Sequence, residues 1–326
     1  MNLRAASLNG YMKVVFMGTP EFACKPLVCL NESPHDVVAV VTGPDERSPR
    51  GGKMRPTPVK QQALSCGLNV ITPSKLAGRK LRDNLSQFDP DIFVVIAFKI
   101  LPRKLYTLPR LGSINIHASL LPRYRGAAPI NWALINGDKE TGLSSFLLND
   151  KVDTGDIVLQ QKFSIDDNEN FDALYARLSD QAGPFALRSL DRLADNNFVP
   201  IRQDNTEATP APKITPENAM IDFGFPAGHV RNFIRGLSSV PGAYTWFRDC
   251  KVKFLDSDIY DGDTNPGARP GTIIPHRKKL LVQCADSALE VRQLLPQGKK
   301  AMDGGSFING FRPNDGECFG EVPGKA

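Results

Sequence analysis

Lys13-Val14-Val15-Phe16-Met17-Gly18-Thr19-Pro20 is the first patterned stretch of the chain. A short apolar run ends in a glycine, and Pro20 stands where a helix from Phe22 to Leu30 would open. Strand, glycine turn and helix in this order begin a doubly wound α/β domain. Val37 to Thr42 reads as the second strand, and its unbroken apolar character suits a parallel sheet covered on both faces. Asp91 to Ala97 repeats the signal as a third. A dinucleotide site at the first turn needs three glycines in the order Gly-x-Gly-x-x-Gly. Gly18 stands alone there, which argues against a nicotinamide cofactor.

Between these strands, Thr57–Cys66 and Lys75–Leu85 read as helices, with a short strand over 68–71. Pro129–Ile135 suits a helix, and Leu143–Leu148 and Ile157–Ile165 read as strands. Phe171–Leu193 carries apolar residues every three to four positions, the mark of an amphipathic helix. The stretch 204–213 has two prolines and no periodicity and reads as a linker. After it come a helix over Ala227–Leu237 and short β-type runs at 243–247, 252–255, 271–274, 280–284 and 289–294. Strands of this length and spacing predict a small antiparallel barrel.

A length of 326 residues is more than one typical domain needs and suits two. A hydrophobic content of 41% and a charged content of 23% are those of soluble globular proteins. No run reaches the roughly 18 apolar residues of a membrane span, so a cytoplasmic protein is expected. The net charge of +5 permits a nucleic-acid partner without requiring one. Cys24, Cys29, Cys66, Cys250, Cys284 and Cys318 form no Cys-x-x-Cys pair, so free thiols are expected and not a disulfide framework or a zinc site. Residues 1–11 precede a second methionine, lack an apolar core and read as an upstream start or a disordered leader.

The chemistry concentrates in Ser113-Ile114-Asn115-Ile116-His117, followed by the loop Ala118 to Pro129. In a strand, Asn115 and His117 point to the same face. A carboxylate follows at a turn, in Val152-Asp153-Thr154-Gly155-Asp156, where Gly155 is expected to supply the backbone freedom of the bend. An amide can hydrogen-bond a developing oxyanion. A histidine can manage a proton near neutral pH, and a carboxylate can orient it. These are the parts for acyl transfer.

The whole string resembles the folate-dependent formyltransferase family. There an Asn-x-His runs directly into a Ser-Leu-Leu-Pro loop, here Ser119, Leu120, Leu121 and Pro122, and a Leu-Asp-x-Gly segment lies about three dozen residues on. Phe98-Lys99-Ile100-Leu101-Pro102 and the later Gln297-Gly298-Lys299-Lys300-Ala301-Met302 match further family segments, so the resemblance runs from Met12 to about Gly310. It implies an α/β fold: a Rossmann-like formyltransferase domain with a parallel-rich twisted sheet over 12–203, the linker, and a smaller OB-like β-barrel domain that binds tRNA over 214–326. It implies 10-formyltetrahydrofolate as co-substrate and no metal. The oxyanion would fall to Asn115 and protonated His117, with Asp153 holding the histidine charged and helping to move the amine's proton. The folate would lie against Ser119, Leu120, Leu121, Pro122, Phe98 and Ile100.

Residues 43–60 are rich in glycine and proline and hold five basic residues against two acidic. Loops of this length inside a compact domain are commonly functional or disordered. The stretch resembles the loop by which tRNA-acting members of the family engage the acceptor arm, with Arg47, Arg50 and Lys53 as the phosphate contacts. The implied acceptor is therefore the amino group of methionine on charged initiator tRNA, and the implied state a monomer. Two other readings use the same residues. One is formyl transfer to a small amine such as glycinamide ribonucleotide or an amino sugar nucleotide. The other is a catalytically inactive RNA-binding protein. The second half of the chain and its Lys299-Lys300-Ala301-Met302 motif argue against the first, and the intact Asn115, His117 and Asp153 set against the second.

Overall fold

The computed structural model describes residues 11–47, 52, 54–262 and 267–320. The chain forms two compact units, and each draws on more than one part of the sequence. The first takes in residues up to Pro129, then Thr141–Phe163 and Tyr175–Ala211. The second takes in Ile130–Glu140, Ser164–Leu174 and residues from Pro212 onward.

A seven-stranded sheet organises the first unit, in the order Ile157–Ser164, Glu140–Leu147, Ser113–His117, Ile92–Ile96, Lys13–Gly18, Asp36–Val41 and Val70–Ile71. Lys13–Gly18 runs parallel to both neighbours, and Ile92–Ile96 runs parallel to Ser113–His117. Glu140–Leu147 is antiparallel to Ser113–His117. The sheet is the parallel-rich one that the apolar strands predict. In its central strands the side chains alternate between two buried faces. Val15, Met17, Ala39, Val41, Phe93 and Val95 pack with Leu81 and Leu85 of the helix Arg79–Ser86 and with Leu101, Leu105 and Tyr106. Val14, Phe16, Val40, Ile92 and Val94 on the opposite face are fully buried too. Each such side chain contributes about 1.5–3 kcal/mol by leaving water.

The local signals fare unevenly. The helix over Pro58–Ser65 starts where read, with Thr57 Oγ1 accepting the Lys60 amide and Pro58 in the first turn. The helix expected from Lys75 begins only at Arg79, because Gly78 precedes it in an extended conformation. The first helix is a 3₁₀ turn, Glu21–Ala23, leading into Cys24–Asn31. Gly18 is required there for close packing: a Cβ on it would stand 2.7 Å from Cβ of Ala23 and 3.1 Å from the Ile96 carbonyl oxygen.

In the second unit an antiparallel sheet runs Ala243–Phe247, Cys250–Ile259, Ala288–Pro296, Lys279–Gln283 and Ile273–His276, with Met302–Asp303 added to Ala288–Pro296. The helix Ala227–Leu237 buries Ala227, Val230, Ile234 and Leu237 in the core of that sheet. Phe319 lies at the centre of an aromatic cluster, its ring 5.2–6.4 Å from those of Phe223, Phe247, Phe254 and Phe307. The helix Gly304–Phe311 has no forecast in the sequence reading, since paired glycines open it and mask its period. Asp303 caps it by accepting the Ser306 amide at 2.7 Å. No helix among the described residues is long and apolar enough to cross a membrane.

All six cysteines are free thiols. Burial, with a smaller contribution from Glu21, pushes the Cys24 thiol up to about 11, and burial with Asp286 pushes Cys284 up to about 12. A raised thiol pKa keeps the unreactive protonated form through neutral pH. Mass-spectrometric mapping of alkylation at pH 8 is expected to show Cys24 and Cys284 unmodified in the native protein and modified after unfolding in urea.

Candidate active site

Ligands of open α/β sheets bind beyond the carboxyl ends of the strands, where the strand order reverses. That reversal falls between Lys13–Gly18 and Ile92–Ile96. His117 is the last residue of the strand next to Ile92–Ile96, and the segment carrying Phe98 and Ile100 leaves Ile92–Ile96 at the same edge. Asn115 shares the His117 face of its strand and is half-buried. Its carboxamide has no hydrogen-bond partner among the described residues.

His117 is 8% exposed. Its Nε2 lies 2.8 Å from the carbonyl oxygen of Tyr124. A carbonyl can only accept, so Nε2 carries hydrogen and donates. The other nitrogen, Nδ1, faces Asp153, whose Oδ2 is 3.9 Å away. That distance allows an ion pair with a protonated ring but is too long for a direct hydrogen bond. Asp153 Oδ2 accepts the amide N–H of Gly126 at 2.9 Å, which fixes the carboxylate beside the histidine.

The bend that carries Asp153 works differently from the sequence reading. Asp153 itself is left-handed, with φ of +53°. For a residue with a Cβ that costs about 1–2 kcal/mol. Gly155 is needed instead for close approach, because a Cβ on it would collide with the carbonyl oxygen of Leu147.

The loop after His117 is held from several sides. The Ser144 hydroxyl donates to the Ser119 carbonyl at 2.6 Å and accepts the Leu121 amide at 3.0 Å. Gln160 Nε2 donates to the Leu121 carbonyl and to Ser144 Oγ, both at 2.8 Å. Tyr124, at φ +62°, donates its amide to Thr209 Oγ1 at 2.9 Å. Pro210–Ala211 pairs in parallel with Arg125–Gly126. A Cβ on Gly126 would stand 2.5 Å from the Ala211 carbonyl oxygen, so only glycine lets the two backbones meet. The stretch expected to be a linker thus contributes a strand to this loop. Gln203, just before it, donates to the carbonyls of Asp153 at 3.1 Å and Gly155 at 2.7 Å. Gln203, Ser144, Gln160 and Thr209 went unread in the sequence, where no local pattern distinguishes them from other polar residues.

Of the residues expected against a folate, Ile100 is 77% exposed, while Phe98 is half-buried against the sheet core. Leu120 and Pro122 are also half-buried. Ser119 and Leu121 are buried behind them: the Ser119 hydroxyl donates to the Arg123 carbonyl at 2.7 Å, and Leu121 packs with Phe146 and Ile157. In the basic stretch, Glu46–Arg47 pairs antiparallel with Met54–Arg55, and all four residues are exposed. Its base is fastened by Thr42 Oγ1 to Thr57 Oγ1 at 2.8 Å and Lys60 Nζ to Asp45 at 2.6 Å. Arg50 and Lys53 lie outside the described residues.

Residues 12–190 match the Formyl transferase family model and residues 213–312 match that of the Formyl transferase C-terminal domain. The chain belongs to this family. Among its relatives, the methionyl-tRNA formyltransferase of Caldanaerobacter subterraneus subsp. tengcongensis is 38% identical over 307 residues, covering 94% of this chain and 99% of that protein. The methionyl-tRNA formyltransferase of Trichlorobacter lovleyi is 40% identical over 300 residues, covering 91% and 94%. Two solved structures share the fold. The methionyl-tRNA formyltransferase from Clostridium thermocellum has a TM-score of 0.53 at 18% identity, covering 77% of this chain and 95% of that one. HypX from Aquifex aeolicus in complex with tetrahydrofolic acid has a TM-score of 0.62 at 15% identity, covering 93% and 48%.

The Gly155 contact yields a direct test. Gly155→Ala is expected to lower stability by about 2–3 kcal/mol, as overpacking against fixed backbone does, read as a lower urea midpoint with an unchanged m-value.

Proposed function

We propose that this chain is a methionyl-tRNA formyltransferase, moving the formyl group of 10-formyltetrahydrofolate to the free amino group of methionine on charged initiator tRNA for translation initiation. The observation that carries the reading is the match to an enzyme of that name over 94% of this chain and 99% of that protein, which takes in both halves. Transfer to a small amine and a purely RNA-binding role are not favoured.

The formyl donor supplies an amide-like carbon, and its capture by an amine passes through a species with a negative oxygen and a positive nitrogen. The free carboxamide of Asn115 is suited to donate to that oxygen. His117 has Nε2 engaged with Tyr124, so Nδ1 is the nitrogen left to hold or pass a proton. Asp153, 3.9 Å from Nδ1, is placed to pair with the ring when it carries a proton and is suited to receive the proton lost by the amine. A pterin against Ile100, Phe98, Leu120 and Pro122 fits their exposed apolar surface, with Ser119 and Leu121 holding the wall in place. No group of three His, Cys, Asp or Glu among the described residues is placed to hold a metal ion.

Residues 12–203 would serve catalysis and 214–326 would bind tRNA. The exposed hairpin of Arg47 and Arg55, fastened at its base, is suited to present cations to phosphates. Arg47, Arg50 and Lys53 would make these contacts, and the enzyme would act as a cytoplasmic monomer.

Transfer of labelled formyl from 10-formyltetrahydrofolate to charged initiator tRNA is expected to be fast, with little transfer to charged elongator tRNA. No transfer to either, with the folate bound, would move the acceptor to a small amine. His117→Ala and Asp153→Asn are each expected to lower kcat by about 10²–10⁴-fold with an unchanged circular-dichroism spectrum. A near-normal rate in either variant would remove that residue from the chemistry. Arg47→Ala with Arg50→Ala is expected to raise KM for tRNA and flatten its salt dependence by about one unit of slope per lost phosphate contact. An unchanged KM would take the hairpin out of RNA recognition.

A further inference from the structure

Gln203 is 7% exposed and uses every hydrogen-bonding valence of its carboxamide. Nε2 donates to the carbonyls of Asp153 and Gly155. Oε1 accepts from Arg125 Nη2 at 2.7 Å and Nε at 3.2 Å. Arg125 adjoins Gly126, whose amide holds the Asp153 carboxylate. The single side chain therefore joins the turn that carries Asp153 to the strand that orients it. It lies 50 residues from Asp153 and 78 from Arg125, so it ties both segments to a third part of the chain.

We infer that Gln203 is a positioning residue for formyl transfer, setting where the Asp153 carboxylate stands relative to His117. The inference rests on the formyl-transfer reading above. Gln203 hydrogen-bonds neither His117 nor the Asp153 carboxylate, so its effect passes through the backbone. At 3.9 Å the His117–Asp153 pair has no direct hydrogen bond to restore it after a displacement. The left-handed Asp153 would relax if the carbonyl of its own residue lost its donor. Only an amide fits the position: two donors meet carbonyl oxygens, and one acceptor meets a guanidinium. A glutamate would oppose the carbonyls with an anion, and a methionine would keep the volume while removing every polar bond.

The test compares wild type, Gln203→Met and Gln203→Glu in formyl transfer to charged initiator tRNA, with the ¹⁵N resonances of the His117 ring recorded on the same proteins. The expected result is a kcat lower by about 10- to 100-fold, the scale on which ångström misplacements act, with both KM values within about twofold. The His117 Nδ1 resonance is expected to move in the variants. A normal kcat with an unmoved resonance, whatever the thermal midpoint does, would overturn the inference and leave Gln203 a structural residue. Should Gln203→Met fail to fold, Gln203→Glu, which retains the Arg125 contact, decides by the same two readouts. A wild type that transfers no formyl group would instead sink the proposed reaction, and the His117 resonance would still report on the pair.

Discussion

His117 donates its Nε2–H to the carbonyl of Tyr124, and through this bond the imidazole inherits the position of the loop that follows its strand. Loops have few internal bonds and depend on a scaffold to hold functional groups still. Here Ser144 and Gln160 hold one side of the loop from the neighbouring strands, and Thr209 and Ala211 hold the other from a segment far along the chain. Ser144 is fully buried in a strand of the central sheet, so its grip on the loop is set by close packing, while Gln160 reaches the loop from the exposed edge strand.

Two non-glycine residues of this region, Tyr124 and Asp153, adopt left-handed backbones. Each is held by a hydrogen bond at its own main chain: the Tyr124 amide donates to Thr209 Oγ1, and the Asp153 carbonyl accepts from Gln203 Nε2. Strain of this kind persists only where the surroundings over-determine it, and it gathers at sites where a side chain must be aimed against the preference of its backbone. In both cases the outcome serves His117: one residue offers it a carbonyl and the other a carboxylate.

The basic hairpin follows a different economy. Its base is tied by a buried threonine pair and by Lys60 with Asp45, while Arg47 and Arg55 stand in solvent. Exposed cations attract phosphate over a distance set by salt, and a fastened base keeps them pointed outward at little cost in order. Lys60, read as one of five positive charges, is spent on this fastening and not on the surface.

Strands and helices were legible because their information is local. An apolar run such as Val14–Met17, or the three-to-four spacing of Phe171–Ala194, dictates what a segment must bury whatever its partners are. The Asn115, His117 and Asp153 set stood out in the sequence through its resemblance to a family string, and the structure brings His117 and Asp153 within 3.9 Å of each other. The helix Gly304–Phe311 was not, since its glycines carry no period. Nor was the reason for Gly155, which lies in the nearness of the Leu147 carbonyl and not in its own dihedral angles. Gln203, Ser144, Gln160 and Thr209 became visible only in the tertiary structure. A hydrogen bond depends on where two groups meet in space, and a polar residue 50 positions from its partner leaves no mark of that meeting in the sequence. The sequence by itself determined most of the elements and singled out the side chains proposed for the chemistry. Tertiary packing decided how those side chains are aimed, because aim is set by contacts between segments that the chain order keeps apart.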